Sequence, residues 1–340
     1  MHNLFFLEHN RIAQAMYKEL GSRTRMTELE LDELVFQETR KLVMAEIQWI
    51  TFKEFLPLVI GKSGMEQYDI NLDASKYDPQ TDPGIINSFA TAAFRFGHSL
   101  VQSIFKGKNQ PWKLGEFYGN ASFATDNNGE NFTNELVGLS KQPCQNADVH
   151  ITNEMTHFLF CNEKTEGGGG HDIAAINIQR GRDHGIPGYQ EFRRLCGLEE
   201  LESLEITPEG VDPASWRKIQ SVYGSVDEID LFVGGLAELP TQDGLIGPTF
   251  SCIIGRQFKA LMEGDRFFFH HTDGPGIRPL TGSALEEIKQ RSLASIICES
   301  TSISVLAKHV FIQIGRDNEI VPCNQHIPLN LENIINEIIT

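Results

Sequence analysis

The 340-residue sequence has no run of eighteen apolar residues, which argues against a membrane-spanning helix. It is short of basic charge: 29 Lys and Arg stand against 46 Asp and Glu, giving a net charge of −17. A nucleic-acid partner wants a basic face, so that class is set aside, and the acid excess suits a dispersed, soluble chain. The opening residues, Met1 to Glu8, carry too short an apolar run and no basic leader, so they do not read as a signal peptide. Internal repeats are absent and convincing strands are few. The pair His270-His271 has no spaced third ligand, so both are read as surface residues rather than as a zinc site.

What is there is apolar residue at helical spacing. With 40% hydrophobic content the chain can bury a sizeable core, in one large domain or two. Leu4 to Leu20 reads as an amphipathic helix. A longer helix starts at Thr27, an N-cap with Glu30 three residues on, and continues through Leu31, Leu34, Val35, Leu42, Val43, Ile47 and Ile50. Pro57 marks a break. Residues 62–85 read as extended or looped, and residues 106–140 as a polar surface loop. Gly167 to Gly170 forms a flexible tract. Further helices are expected near Pro213–Tyr223, Ser251–Glu263 and Gly282–Thr301.

Two segments carry chemistry. The first is a helical stretch from Asn87 to Phe105 that contains Arg95 and His98. Positions three apart share a helix face, so an imidazole and a guanidinium are presented together. Gly97, Ala92 and Ala93 leave room for something flat. A neutral imidazole is a good axial ligand for haem iron, and an arginine fork one turn away matches a propionate. Taken alone, the stretch reads first as a core histidine beside an ion-paired arginine, and it is the accompanying segments that overturn that reading. The second segment runs from Ile173 to Pro187, with Asn177 and Arg180 again three apart. There His184 is the rival axial histidine, but it sits at a helix end before a turn and is read as structural.

In order along the chain come Leu7-Glu8-His9-Asn10-Arg11-Ile12-Ala13, Phe36-Gln37-Glu38-Thr39-Arg40 and Phe55-Leu56-Pro57-Leu58-Val59-Ile60-Gly61. The His98 and Asn177 segments follow, then Gly247-Pro248-Thr249-Phe250, Gly264-Asp265-Arg266-Phe267 and Val321-Pro322-Cys323. With these motifs the sequence resembles the animal haem peroxidases. The resemblance implies a mainly α, haem-peroxidase-like helical domain over residues 1–340, with its N-terminal part missing. It implies His98 as the proximal ligand of haem iron, and Asn177 as acceptor of a hydrogen bond from the other ring nitrogen of His98, tuning the iron. Arg95 and Arg180 would be the propionate partners. The expected partners are hydrogen peroxide and a small reducing substrate: a phenol, a tyrosine or a halide.

In the family, the distal histidine and arginine that split peroxide precede the segment matching Leu7 to Ala13. So do the calcium loop and the carboxylates that esterify the haem. His2 and His9 match ordinary family positions, and a core or helix-capping role is expected for them. Glu8 stands where relatives often carry arginine, a departure given little weight. The chain is therefore read as the proximal half of a longer domain, a short isoform, or one chain of a two-chain enzyme. Alone it is expected to turn over little peroxide. Six cysteines permit fifteen pairings. The resemblance selects Cys196 with Cys252 and Cys298 with Cys323. It leaves Cys144 and Cys161 as either a third bridge or two thiols. Sequons at Asn120-Ala121-Ser122 and Asn131-Phe132-Thr133, both in a turn-rich stretch, support a secreted, oxidising setting.

Overall fold

Leu4, Glu8, Ile12, Met16 and Leu20 recur every four residues and become the buried stripe of α1 (His2–Arg23). A charged residue, Glu8, sits in the middle of that stripe and is fully buried. The Thr27 hydroxyl accepts from Glu30 N and the Glu30 carboxylate accepts from Thr27 N at 2.9 Å, so a capping box starts α2 (Glu28–Ile50). The two helices pack along each other, with the Thr39 hydroxyl 3.6 Å from the Met16 sulfur. This computed structural model describes residues 1–74, 76–107, 110–122, 130–161, 169–272 and 279–339. The start of the Gly167 tract, at 167–168, lies outside the described residues.

Pro57 does not break the chain into a loop. A single π turn, Thr51–Phe55, leads into α3 (Leu56–Val59), with the Leu56 N–H bonded back to Thr51 O. Proline has no N–H and its ring collides with the carbonyl four residues back; the wider π turn absorbs both. It also re-phases the helix, so that Phe52 packs on Phe258 and Phe268 while Phe55 faces Phe94 and Phe311. Part of the expected loop after it is helical: α4 (Gly61–Gln67) is entered through Gly61 at φ +78° and capped by the Asp243 carboxylate on Ser63.

The expected helix from Asn87 to Phe105 divides into three. α5 (Asn87–Thr91) ends at Ala92, whose φ/ψ of −136°/−68° is not helical. A 3₁₀ helix, Ala93–His98, follows, and Ile104–Lys106 is strand β1, paired antiparallel with β2 (Pro111–Lys113). The region expected as a surface loop therefore holds a hairpin, and it also holds α6 (Glu130–Leu139), which buries Phe132 and Leu136. Gly138 is required there, because a Cβ would lie 1.7 Å from the Lys106 carbonyl oxygen. Of the two sequons, Asn120 lies exposed outside regular structure, whereas Asn131 sits in the first turn of α6 and is not in a turn-rich loop.

After the short α7 (Asn153–Thr156) comes α8 (Ile173–Asp183), whose N-terminus is capped by the Asp172 carboxylate. α10 (Pro213–Val222) is a separate helix, while α9 (Tyr189–Leu195), α11 (Leu231–Ala237) and α12 (Pro248–Gly264) gather round Glu238. That buried carboxylate accepts from Tyr189 Oη at 2.6 Å, Arg193 Nη1 at 3.2 Å and both the N–H and the hydroxyl of Thr249. The expected helix Gly282–Thr301 is two, α13 (Gly282–Lys289) and α14 (Leu293–Ser300), because Ser292 and Ser295 cap each other at a new start. Arg291 lies in the break and points inward. A β3 (Val305–Ala307) and β4 (Ile320–Pro322) ribbon and α15 (Leu331–Ile339) complete the described chain. It is mainly helical, with two two-stranded ribbons among the described residues. Disulfides join Cys196 to Cys252 and Cys298 to Cys323; Cys144 is exposed, Cys161 half-buried, and they are not bridged to each other.

Three sequence readings need correction. His271 is buried, its Nδ1 3.0 Å from Asp265 O, and both ring nitrogens of His270 are buried, so this pair is not on the surface. His2 is exposed at the start of α1, and His9 is half-buried edge-on to Phe36, so neither is a core or capping histidine. Glu8 is no incidental departure: it sits in an ion cluster with Arg11 and Arg291.

Candidate functional site

The 3₁₀ helix brings Arg95 and His98 into line, because three residues per turn makes positions i and i+3 eclipse. Across from them, α8 presents Asn177, which is fully buried. Its side-chain amide lies between the two: Arg95 Nη1 donates to Asn177 Oδ1 at 2.8 Å, and Asn177 Nδ2 is 2.7 Å from His98 Nδ1. Arg95 Nε donates to Ala90 O at 2.9 Å, which stitches the guanidinium across the Ala92 break.

The direction of this contact differs from the sequence expectation. Arginine can only donate, so the amide oxygen must face Arg95 and the amide nitrogen must face His98. Asn177 therefore donates to Nδ1 rather than accepting from it. His98 Nε2 has no hydrogen-bond partner among the described residues, and the side chain is half-buried. Burial, and then the neighbouring Arg95 charge, hold the His98 pKa below the usual histidine value, which keeps the ring neutral. Arg95 is likewise shifted down, first by burial and then by the charge of Arg180.

Arg180 lies on the exposed side of α8 and pairs with Asp183 at 3.1 Å. So the structure brings His98, Arg95 and Asn177 into direct contact and sets Arg180 near enough to repel Arg95. Two cations facing each other across an open surface favour an anion between them. Cβ atoms added to Gly97 or Gly181 would meet nothing within 4 Å, so the face over these residues is open. Two clefts among the described residues lie elsewhere, one lined by Glu38, Lys41 and His271, the other by Cys144, Leu239 and Phe311; neither includes His98. His98 thus sits half-buried beside an open face.

Sequence reasoning named one support behind this face, His184, as structural without its partner, and missed the others. Arg182 forks onto Asp230 at 3.0 and 2.7 Å, and Tyr223 Oη reaches the same carboxylate at 2.7 Å, tying the end of α8 to the start of α11. His184 Nδ1 meets Asn87 Oδ1 at 2.9 Å, tying α8 to α5. The only sequence signal for the first was the charge-dense run Arg180 to Asp183, which does not name its partner.

A neutral imidazole with one free nitrogen, two guanidiniums for two carboxylates, and an open glycine-bearing face are a donor set that fits haem. Among the described residues no group of three or more His, Cys, Asp or Glu is arranged to hold a metal ion by itself, and no helix is long and apolar enough to cross a membrane.

Known proteins agree with this chemistry. The family model described as animal haem peroxidase matches residues 1–311. Peroxidasin of Drosophila melanogaster is 33% identical over 342 residues, covering 97% of this chain and 21% of that protein. A Drosophila melanogaster protein named peroxidase is 31% identical over 338 residues, covering 95% of this chain and 47% of that one. Among solved structures, peroxidase A from Dictyostelium discoideum superposes with a TM-score of 0.71 at 32% identity, over 88% of this chain and 54% of that chain. The chain thus spans about half or less of the length of these relatives. With the family model running through both the His98 and the Asn177 segments, the chain belongs to the animal haem peroxidase family.

Proposed function

We propose that this chain supplies the proximal half of a haem pocket, with His98 as the axial ligand of the iron. The observation that carries this is a neutral imidazole whose Nδ1 is held by the fully buried Asn177 and whose Nε2 is unpartnered on an open face. Asn177 fixes the ring orientation, and with iron on Nε2 it would accept from Nδ1–H through Oδ1 and so tune the iron. Arg95 and Arg180 hold the propionates, whose charge relieves the repulsion between them. When bound, the haem supplies the redox chemistry by which hydrogen peroxide is reduced and a phenol, tyrosine or halide is oxidised.

Peroxide cleavage also needs a distal base and cation. In this reading they come from the part of the longer relatives that this chain does not span, whether in the same polypeptide or in a second one, together with any calcium site. Residues 1–340 then act as one portion of a single catalytic domain. Two disulfides and the exposed Asn120 sequon support a secreted, glycosylated protein. A second reading, favoured by the open face over Gly97 and Gly181, is an extracellular haem-binding or adhesive module without turnover. Replacing His98 by Ala decides the shared premise. Loss of the ferric Soret band on haem titration is expected; an unchanged spectrum would sink the axial assignment.

A further inference from the structure

His98 is the last residue of the 3₁₀ helix, and the chain leaves regular structure just after it. Hydrogen bonds in a 3₁₀ helix are poorly aligned, and the closing one here, Ser99 N to Phe96 O, is stretched to 3.4 Å. The carbonyls that follow must find partners elsewhere. They find them on residues 142–148, which run beside residues 99–106 as a strap. Gln145 makes two of the bonds: its N–H donates to Leu100 O at 2.9 Å, and its Nε2 donates to Val101 O. Asp148 N–H donates at 3.2 Å to the hydroxyl of Ser99, which is fully buried and itself donates to Phe96 O at 3.0 Å. The Ser99 hydroxyl thus joins the strap to the turn that carries His98. Further along, the Gln142 amide bonds Lys106 N and Ile104 O, each at 2.8 Å, on the edge of β1 away from β2.

We propose that Ser99 and Gln145 are positioning residues for the haem ligand. Through them the strap fixes where the 3₁₀ helix ends, and so where the His98 imidazole stands beside the open face. This rests on the reading of His98 as the ligand. An axial ligand has to be held within about half an ångström of its bonding position by groups that are themselves locked. Asn177 holds the ring from the α8 side, but one hydrogen bond to Nδ1 fixes a ring only as well as the ring's own backbone is fixed. The strap supplies that backbone restraint. Its bonds act on both sides of His98: the Ser99 hydroxyl grips Phe96 O two residues before it, and Gln145 grips Leu100 O and Val101 O just after it. The His98 ring is bonded to Asn177 and not to the strap, so the effect on the ligand travels through the main chain.

The test compares three variants of the full chain titrated with haem. Ser99→Ala removes the buried hydroxyl, and Gln145→Leu keeps most of the side-chain bulk while deleting the bond to Val101 O. Ser295→Ala is the matched control, a buried serine in α14 that likewise accepts from an N–H and donates to a carbonyl, both of Ser292. Two quantities are read: haem affinity, and the iron–imidazole stretching band of the reduced haem by resonance Raman, which reports the seating of the ligand and not the stability of the fold. Ser99→Ala and Gln145→Leu are expected to shift that band and to weaken haem binding about three- to tenfold, at or below the low end of what loss of a direct partner of a metal ligand costs. Ser295→Ala is expected to lower the urea midpoint and leave the band in its wild-type place. A wild-type band and affinity in Gln145→Leu overturns the proposal, as does an equal shift in Ser295→Ala. Gln145 is half-buried, so its variant decides the matter if Ser99→Ala fails to fold. Haem titration of His98→Ala is read separately. His98-dependent haem binding that neither strap variant disturbs removes the role of the strap alone. A wild-type chain that takes up no haem, or takes it up without regard to His98, removes the ligand assignment and the strap's role with it.

Discussion

Two arginines organise this molecule, and they differ in how completely they are satisfied. Arg291 is fully buried between α13 and α14 and meets Glu46 at 2.6 Å, Glu8 at 3.1 Å and Glu299 at 2.6 Å, while its Nη1 donates to Ile327 O. Arg95 is half-buried and has an amide oxygen and one backbone carbonyl, with no carboxylate among the described residues. A guanidinium saturated by carboxylates is locked in place and cross-braces α1, α2 and α14. A guanidinium held by neutral acceptors beside a second cation keeps an unmet preference for an anion. The first arrangement serves stability and the second serves a ligand.

Removing the saturated arginine gives the largest expected effect. Arg291→Met leaves the buried Glu8 and the half-buried Glu299 beside Arg11 alone, and breaking such a network costs about 3–5 kcal/mol. Urea unfolding followed by the buried Trp49 and Trp216 measures it. A loss near zero would mean that water reaches the cluster and that the contrast with Arg95 is unfounded.

The same cluster has a pH signature. Burial pushes the Glu46 pKa up to about 8, against the pull of Arg291 and with the help of Glu8, and its Oε2 has no partner. Glu8 goes the other way: burial would raise it, but Arg11, Ser300 and Arg291 hold it low. Neutral Glu46 makes the charges balance, since Arg11 and Arg291 then face Glu8 and Glu299. A raised carboxyl pKa means that the folded state binds the proton more tightly. The contribution of Glu46 is therefore whole below the ordinary value of 4.5 and is lost as pH climbs through about 8. Glu46→Gln mimics the neutral acid, so its stability relative to wild type should grow across that window and level off above it. Parallel curves would place an ionised carboxylate at Glu46.

On the site side, Asn177→Ala removes the amide between Arg95 and His98 and leaves buried polar groups unpaired, a cost of about 1–3 kcal/mol. The haem is expected to stay bound with an altered iron potential, because Nδ1 loses its partner. An unchanged potential would limit Asn177 to packing.

The contrast also explains what could be read from residues alone. The stripe in α1, the capping box at Thr27 and both disulfides were legible, because each is a local pattern or an ordered motif. The split at Ala92 was not. Residues 87–105 are apolar enough for one helix, but packing against α8, α11 and α12 decides where it breaks. The single helix expected over Gly282–Thr301 failed for the same reason, since only the folded core shows where Arg291 must go. At the site, His98, Asn177, Arg95 and Arg180 were all named. The direction of the Asn177 bond was not, because it depends on Arg95 taking the oxygen first. Glu8 offered a signal that went unused: a carboxylate at the centre of an apolar stripe needs a buried cation.

The smallest expected effect is the one that sharpens the comparison most. Arg95→Met removes two hydrogen bonds, yet the stability loss should stay under about 1 kcal/mol. Water can reach the half-buried guanidinium's place at Ala90 O. The Asn177 oxygen, once released, can turn to a protonated His98 Nδ1, so the buried amide is not stranded. Repulsion from Arg180 disappears as well, which offsets part of the loss. The same chemical change, arginine to methionine, would then cost several times less here than at Arg291. The measurement is the difference in urea midpoint at constant slope. Equal losses at the two positions would show that Arg95 is a structural tie like Arg291, and that the site holds no cation in reserve for a carboxylate.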